Sequence, residues 1–357
     1  MNLRARAKVG RMPSFSFEQP PVHITFRTGA LVTLPDALRA SQAKRPVFVP
    51  SPSQYRTAER AEALDIESVG RFEGVTQHVQ ATSVDALRAL ADERSADSFV
   101  ALGGGSAIDL CKAASFETPR PVIAIPTTYG GSELTRGAGR TMKREKSAVV
   151  WRAPRAIVYD SELTLDLPLR PSAGSAMNAL AHCVEGLYAP QAQPLALLAA
   201  ENGIRLLGRA LRALPGAPRD AALREQLLYG AYLAGVALAG TGMALHHRIC
   251  HVLGGRYGIA HGDANAVILP HVVRFNAPAA ESAIAQVANA LETKDAAEAL
   301  VNLARNATAP TSLRELELPE TELAQLADIA LATPLRNPRP VERAALLELL
   351  QKAWHGA

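Results

Sequence analysis

The order of apolar and breaker residues predicts an α/β domain built on a parallel sheet, followed by an all-α domain. Short strand-like runs alternate with helical patterns as far as Asp160. From Ser172 onward apolar residues recur at helical spacing almost to the C-terminus. A chain of 357 residues with 48% hydrophobic content also exceeds the roughly 250–300 residues at which single cores stop growing. The division expected is a basic tail over residues 1–12, an α/β domain over 13–160 and a helical domain over 161–357.

In the first half, Phe15 to Arg27 reads as one or two edge strands broken by a proline pair, and Gly29 to Ala40 as a turn and a helix. Pro46 to Pro50 is a buried strand, Tyr55 to Leu64 a helix, and Val69 to Phe72 a further strand. A helix follows from about Ser83, the expected cap, to Glu93. Ser98 to Leu102 is a strand that runs directly into Gly103, Gly104, Gly105 and Ser106, and Ala107 to Ala114 is helical. Glycines in such a strand–loop–helix unit let backbone N–H groups approach a phosphate closely, and the positive end of the helix favours the charge. A GGGS loop alone serves equally well as a turn. A second loop supports the phosphate reading: Pro121 to Pro126 is another strand, followed by Thr127, Thr128, Tyr129, Gly130, Gly131 and Ser132 at the same carboxyl edge, where doubly wound sheets bind ligands. Arg136 to Val158 is a β-rich excursion.

In the second half, helices are expected over Ser172–Tyr188, Leu195–Leu214, Leu223–Leu245 and much of Glu281 to the end, with prolines including Pro270 and Pro310 marking breaks. Residues 240–276 hold five of the nine histidines: His246, His247, His251, His261 and His271. His247 and His251 share a helix face, Gly254 and Gly255 are expected to end that helix, and His261 returns to meet the pair. A lone histidine on such a helix is commonly a core residue; a cluster points to chemistry. Earlier, Asn178 and His182 share a face, with Glu185 one turn on.

Composition narrows the classes. The net charge of +4, 38 basic against 34 acidic residues, is partly explained by Arg4, Arg6, Lys8 and Arg11 in the N-terminal tail and does not indicate nucleic-acid binding. No run of eighteen apolar residues suggests a membrane span. Cys111, Cys183 and Cys250 form no CxxC pair, which suits a reducing compartment, the cytoplasm by default.

Five segments, GGGSAIDLCKA, IPTTYGGSE, DSELTLDLP, NALAHCVEGLYA and HHRICHVLGGRYGIAHG, together resemble the iron-containing alcohol dehydrogenase superfamily, in order and across nearly the whole chain. The resemblance implies the dehydroquinate synthase-like fold, a nicotinamide dinucleotide in the α/β domain and an active site between the domains. It implies cofactor contacts at Gly103, Gly104, Gly105, Ser106 and Asp109 for the pyrophosphate and at Thr127, Thr128 and Ser132 for the ribose and nicotinamide, with Leu163 and Lys146 bordering the ring. Lys146 also reads as a plain surface charge. The family's metal ligands fall on Asn178, His182, His247 and His261. Its first ligand is an Asp, however, and Asn178 removes the one anionic donor, which lowers affinity for a hard divalent cation.

That departure, the doubled histidine and the CHVLGG run are similar to the maleylacetate reductase branch. It implies reduction of the carbon–carbon double bond of 2-maleylacetate to 3-oxoadipate in aromatic-compound degradation, with NADH or NADPH, without metal, in a homodimer. The catalytic set expected is His251 as proton donor, His182, His247 and His261 as substrate-binding groups around Asn178, His246 as a further imidazole, and Arg248 as a carboxylate anchor. After the strand ending at Val49, Ser51 and Ser53 precede any acidic residue, so the loop either accepts both NADH and NADPH or is a proline-braced turn away from the cofactor. Two other readings remain: a metal-dependent alcohol dehydrogenase that tolerates Asn178, and a lyase like dehydroquinate synthase or a non-catalytic dinucleotide-binding protein.

Overall fold

A computed structural model of the chain describes residues 17–356 apart from 19–20, 78, 117, 143–144, 151 and 191, and for 138–142 and 145–150 the backbone alone. The basic tail lies outside the described residues. The strands are β1 (His23–Phe26), β2 (Pro46–Pro50), β3 (Gly70–Arg71), β4 (Val79–Gln80), β5 (Ser98–Gly103), β6 (Val122–Pro126), β7 (Gly137–Met142), β8 (Glu145–Val150) and β9 (Ala156–Tyr159). Six of them form a wholly parallel sheet in the order β1-β9-β6-β5-β2-β3. Its central strands β2, β5, β6 and β9 are buried throughout, as their uninterrupted apolar sequences require when helices cover both faces. A small second sheet, β4-β7-β8, holds the excursion.

Helices α1 (Leu34–Ala40), α2 (Tyr55–Glu62), α3 (Ala81–Glu93) and α4 (Gly105–Ser115) alternate with these strands. Then follow α5 (Leu169–Leu187), α6 (Pro194–Ala213), α7 (Ala221–Thr241), α8 (Leu245–Tyr257), α9 (His261–Asn276), α10 (Glu281–Ala290), α11 (Ala296–Asn306), α12 (Leu323–Leu331) and α13 (Arg343–His355). Asp160 sits between the two parts, its carboxylate accepting the amides of Gly29 and Leu31 at 2.9 Å each. One apolar core runs from the sheet through α5, α6, α7, α10 and α11, so the change of secondary structure is not a gap in packing. No single described helix is long and apolar enough to cross a membrane.

Three local expectations are corrected. The helix expected from Ser83 starts at Ala81 with Gln80 ahead of it, and no side chain caps it. Gly254 and Gly255 do not end α8; Gly258 does, at φ 70, with Gly258 N–H donating to the Gly254 carbonyl and Ile259 N–H to that of Leu253. Only one of these glycines needs the left-handed conformation, and it sets the stop. Pro270 breaks nothing: α9 runs through it among fully buried neighbours, where packing outweighs one missing helical hydrogen bond.

Candidate active site

Because β5 and β6 are adjacent and parallel, Gly103 opposite Pro126, the two glycine loops leave the sheet side by side. They form one wall of a cavity of about 800 Å³, and α5, α7, α8 and α9 form the other. Gly105, Ser106, Asp109, Thr128 and Ser132 line it. Gly103, Gly104, Thr127 and Ser51 stand behind this surface, and the geometry explains why. A Cβ on Gly103, whose φ is 155, would lie 2.1 Å from Ser51 Oγ, and one on Gly104 would lie 2.9 Å from Thr128 Oγ1. These glycines let the loops nest, and Thr127 N–H extends the ladder to the Gly103 carbonyl. Ser51 is thus packed on the loop's far side. Leu163 is likewise in the core under the sheet, where the turn Ser161–Thr164 buries it. Lys146 pairs with Thr141 across the β7–β8 hairpin, and its side chain lies outside the described residues.

Two buried cations shape the loop wall and carry no motif that sequence reasoning could use. Lys112, wholly buried on α4, reaches Asp109 at 3.3 Å, the Ser132 carbonyl at 3.0 Å and the Gly137 carbonyl, tying the first loop's helix to the second loop. Arg224 on α7 donates to Tyr129 Oη at 3.0 Å, Ser172 Oγ at 2.6 Å and the Leu167 carbonyl at 2.7 Å, locking the second loop to the helical part.

On the helical wall, Asn178, His182, His247, His251 and His261 all line the cavity. The His182 and His247 rings stack with centroids 4.1 Å apart and planes 7° from parallel. The His251 ring is 5.9 Å from that of His261 and 6.4 Å from that of His247, which is itself 6.4 Å from His261. Gly174 and Gly262 make this convergence possible, since a Cβ on either would stand within 3.0 Å of the other's backbone. At the mouth beside them, Arg170 pairs with Asp263 through Nη2–Oδ2 at 2.7 Å.

Asn178 is oriented by its neighbours. Its Nδ2 donates to the Gly130 carbonyl at 3.1 Å, so Oδ1 faces His247 Nε2 at 3.3 Å. His247 Nδ1 meets Glu185 Oε2 at 2.7 Å. Glu185 is buried, and although burial opposes its charge, the cluster His247, His246 and the Ala244 amide hold its carboxyl below the usual range. The His247 ring is thus held between a carboxylate oxygen at Nδ1 and an amide oxygen at Nε2.

His246 corrects the expected catalytic set. Its ring is wholly buried behind the cleft, against the Asn265 carbonyl and Cys250 Sγ, and burial pushes its pKa down to about 3. Burial, reinforced by His247, holds His182 well below the usual histidine range, and its Nδ1 has no hydrogen-bond partner. His271 is also a buried core residue, lowered to about 4 chiefly by desolvation. Arg248 faces away from the cavity and donates to the Ala330 carbonyl at 3.1 Å, joining α8 to α12.

Two family models match, the iron-containing alcohol dehydrogenase model over residues 21–161 and the C-terminal model of the Fe-containing alcohol dehydrogenase family over residues 172–354. The chain belongs to the iron-containing alcohol dehydrogenase family, in its maleylacetate reductase branch. It is 39% identical over 348 residues to a maleylacetate reductase of Burkholderia cepacia, covering 97% of this chain and 99% of that one. The fold superposes on the crystal structure of a maleylacetate reductase from Rhizobium sp. strain MTP-10005 with a TM-score of 0.91 at 36% identity, covering 97% and 99% of the two chains. A sulfoacetaldehyde reductase from Bifidobacterium kashiwanohense, solved with NAD+, aligns with a TM-score of 0.86 at 25% identity over 95% and 98%. The family is one of NAD(P)-dependent oxidoreductases, and the loop wall, with glycines, hydroxyls and the first turn of α4, suits a pyrophosphate.

Proposed function

We propose that this chain is a maleylacetate reductase that uses NADH or NADPH to reduce the double bond of 2-maleylacetate, giving 3-oxoadipate, and that it does so without a metal. The observation that carries the reading is Asn178 facing His247 within a cluster of cleft histidines, in a chain similar along nearly its whole length to maleylacetate reductases. The donor set fits a divalent cation poorly. It has no anionic member, and the neutral Asn178 amide is a weaker donor than a carboxylate. Glu185, His246 and His247 do stand close enough to chelate an ion, but the Glu185 oxygens already accept the Ala244 and His246 amides and the His247 ring.

A reduced nicotinamide, held by the loop wall of Gly105, Ser106, Thr128 and Ser132, would supply hydride to the alkene carbon β to the ketone. The electron pair of the double bond then moves onto the ketone oxygen, and the enolate regains a proton at the adjacent carbon. His251, partly accessible on the cavity wall, delivers that proton; His182, His247 and His261 hold the substrate, with His182 and His261 donating toward the developing oxyanion. Arg170, paired with Asp263 on the same wall, receives a carboxylate of the dianion in this reading, exchanging that partner for the substrate. The segment after β2 carries no acidic residue before Glu59, so it presents no charge that would repel the extra phosphate of NADPH. Incubation with freshly generated maleylacetate and NADH, with the product identified by mass spectrometry, tests the reading: 3-oxoadipate supports it, and an alcohol formed at the ketone refutes it.

A further inference from the structure

The geometry points to Glu185 as a positioning residue for the reaction, acting through His247. This rests on the reductase reading for its kinetic consequence but not for its structural one.

Glu185 lies on α5, one turn past His182, and does not line the catalytic cavity; it borders a second one, of about 380 Å³, behind His247. Its side chain is 1% exposed, yet both oxygens are engaged. Oε1 accepts the His246 amide at 2.8 Å, and Oε2 accepts the Ala244 amide at 2.9 Å and His247 Nδ1 at 2.7 Å. The two amides belong to the start of α8. Ala244, the residue before its first turn, has no side chain to cap it, so a carboxylate from another helix does that work and also meets the positive end of the dipole. One group thus fixes where α8 begins and how its third residue's ring is turned.

The ring's orientation propagates. With Nδ1 held by Glu185, Nε2 is aimed at Asn178 Oδ1 and the flat face is presented to His182. Free rotation of His247 would release all three relationships. A simple structural cap would explain the two amide bonds but not the shortest of the three contacts, which goes to the ring.

Glu185→Gln separates the roles. The amide keeps one oxygen for the His246 amide and presents N–H toward Nδ1 and the Ala244 amide, so one of the two cap bonds to α8 remains while the ring loses its acceptor. We expect a melting temperature lower by a few degrees from the lost Ala244 bond, NADPH affinity close to wild type, KM for maleylacetate changed less than about threefold, and kcat lowered by about tenfold or more. Combined with His247→Ala, the same change should alter kcat by less than about threefold, because the group it acts through is gone. Histidine-selective 15N NMR of the full chain, with no substrate present, should show the His247 Nδ1–H signal in wild type and its loss in Glu185→Gln. Additive kinetic effects, or an unchanged Nδ1–H signal in the variant, would overturn the assignment. Should wild type prove inactive on maleylacetate, the NMR result still decides the positioning claim while the substrate reading falls.

Discussion

Asn178 Oδ1 stands 3.3 Å from His247 Nε2, held there because the amide's other end donates to the Gly130 carbonyl. An aspartate at this position would offer an anionic oxygen and lose the N–H that Gly130 receives. Asn178→Asp should therefore gain bound zinc or iron, measured by elemental analysis after equilibration with the ion and gel filtration. A variant that retains no more metal than wild type would show that other features of the site exclude it.

Removal of the His251 imidazole should be costly to turnover and mild to binding. His251→Ala is expected to lower kcat by roughly a hundredfold while leaving NADPH affinity, followed by fluorescence, nearly unchanged. If only the KM for substrate rises, His251 anchors and does not donate.

The buried histidines make stability pH-dependent. Desolvation lowers His182 well below the usual range, His246 to about 3 and His271 to about 4, whereas in the unfolded chain each titrates near the ordinary value of about 6.5. Below that value the unfolded state binds protons that the folded state refuses, so this stability is complete above about pH 6.5 and declines as the pH falls. Each histidine steepens the decline by up to ~1.4 kcal/mol per pH unit. The melting temperature should fall progressively from pH 7 to pH 5, and less steeply in His271→Gln. A flat profile across that range contradicts the burial argument.

The close approach of Ser51 to Gly103 makes the first loop intolerant of a side chain. Gly103→Ala adds a Cβ 2.1 Å from Ser51 Oγ at a φ of 155, a strain of about 1–3 kcal/mol. Cofactor affinity should drop by about tenfold or more, read by fluorescence titration, with a melting temperature lower by a few degrees. Wild-type affinity in this variant would mean the loop shifts without consequence.

Much of this architecture is legible in the sequence because the strands are wholly apolar and the breakers unambiguous: Pro46–Pro50 and Ser98 onward read as buried strands, and both glycine loops fall at their ends. The helix faces bearing Asn178 with His182, and His247 with His251, follow from spacing alone. What spacing cannot give is depth. His246 adjoins His247, yet one ring turns to the cleft and the other to the core, because α8 packs one side against α9 and α12. Leu163 and Arg248 lie beside informative residues and face elsewhere for the same reason. Glu185, Lys112 and Arg224 join segments distant in sequence, and no local pattern announces a carboxylate on α5 that caps α8.

The central claim is that histidines around Asn178 carry the reduction without a metal. Wild-type protein, purified and assayed in the presence of a strong chelator, should oxidise NADH or NADPH with maleylacetate at the same rate as untreated protein, with specificity constants for the two cofactors within about tenfold, or ~1.4 kcal/mol. Activity that disappears on chelation and returns with added zinc or iron would contradict it.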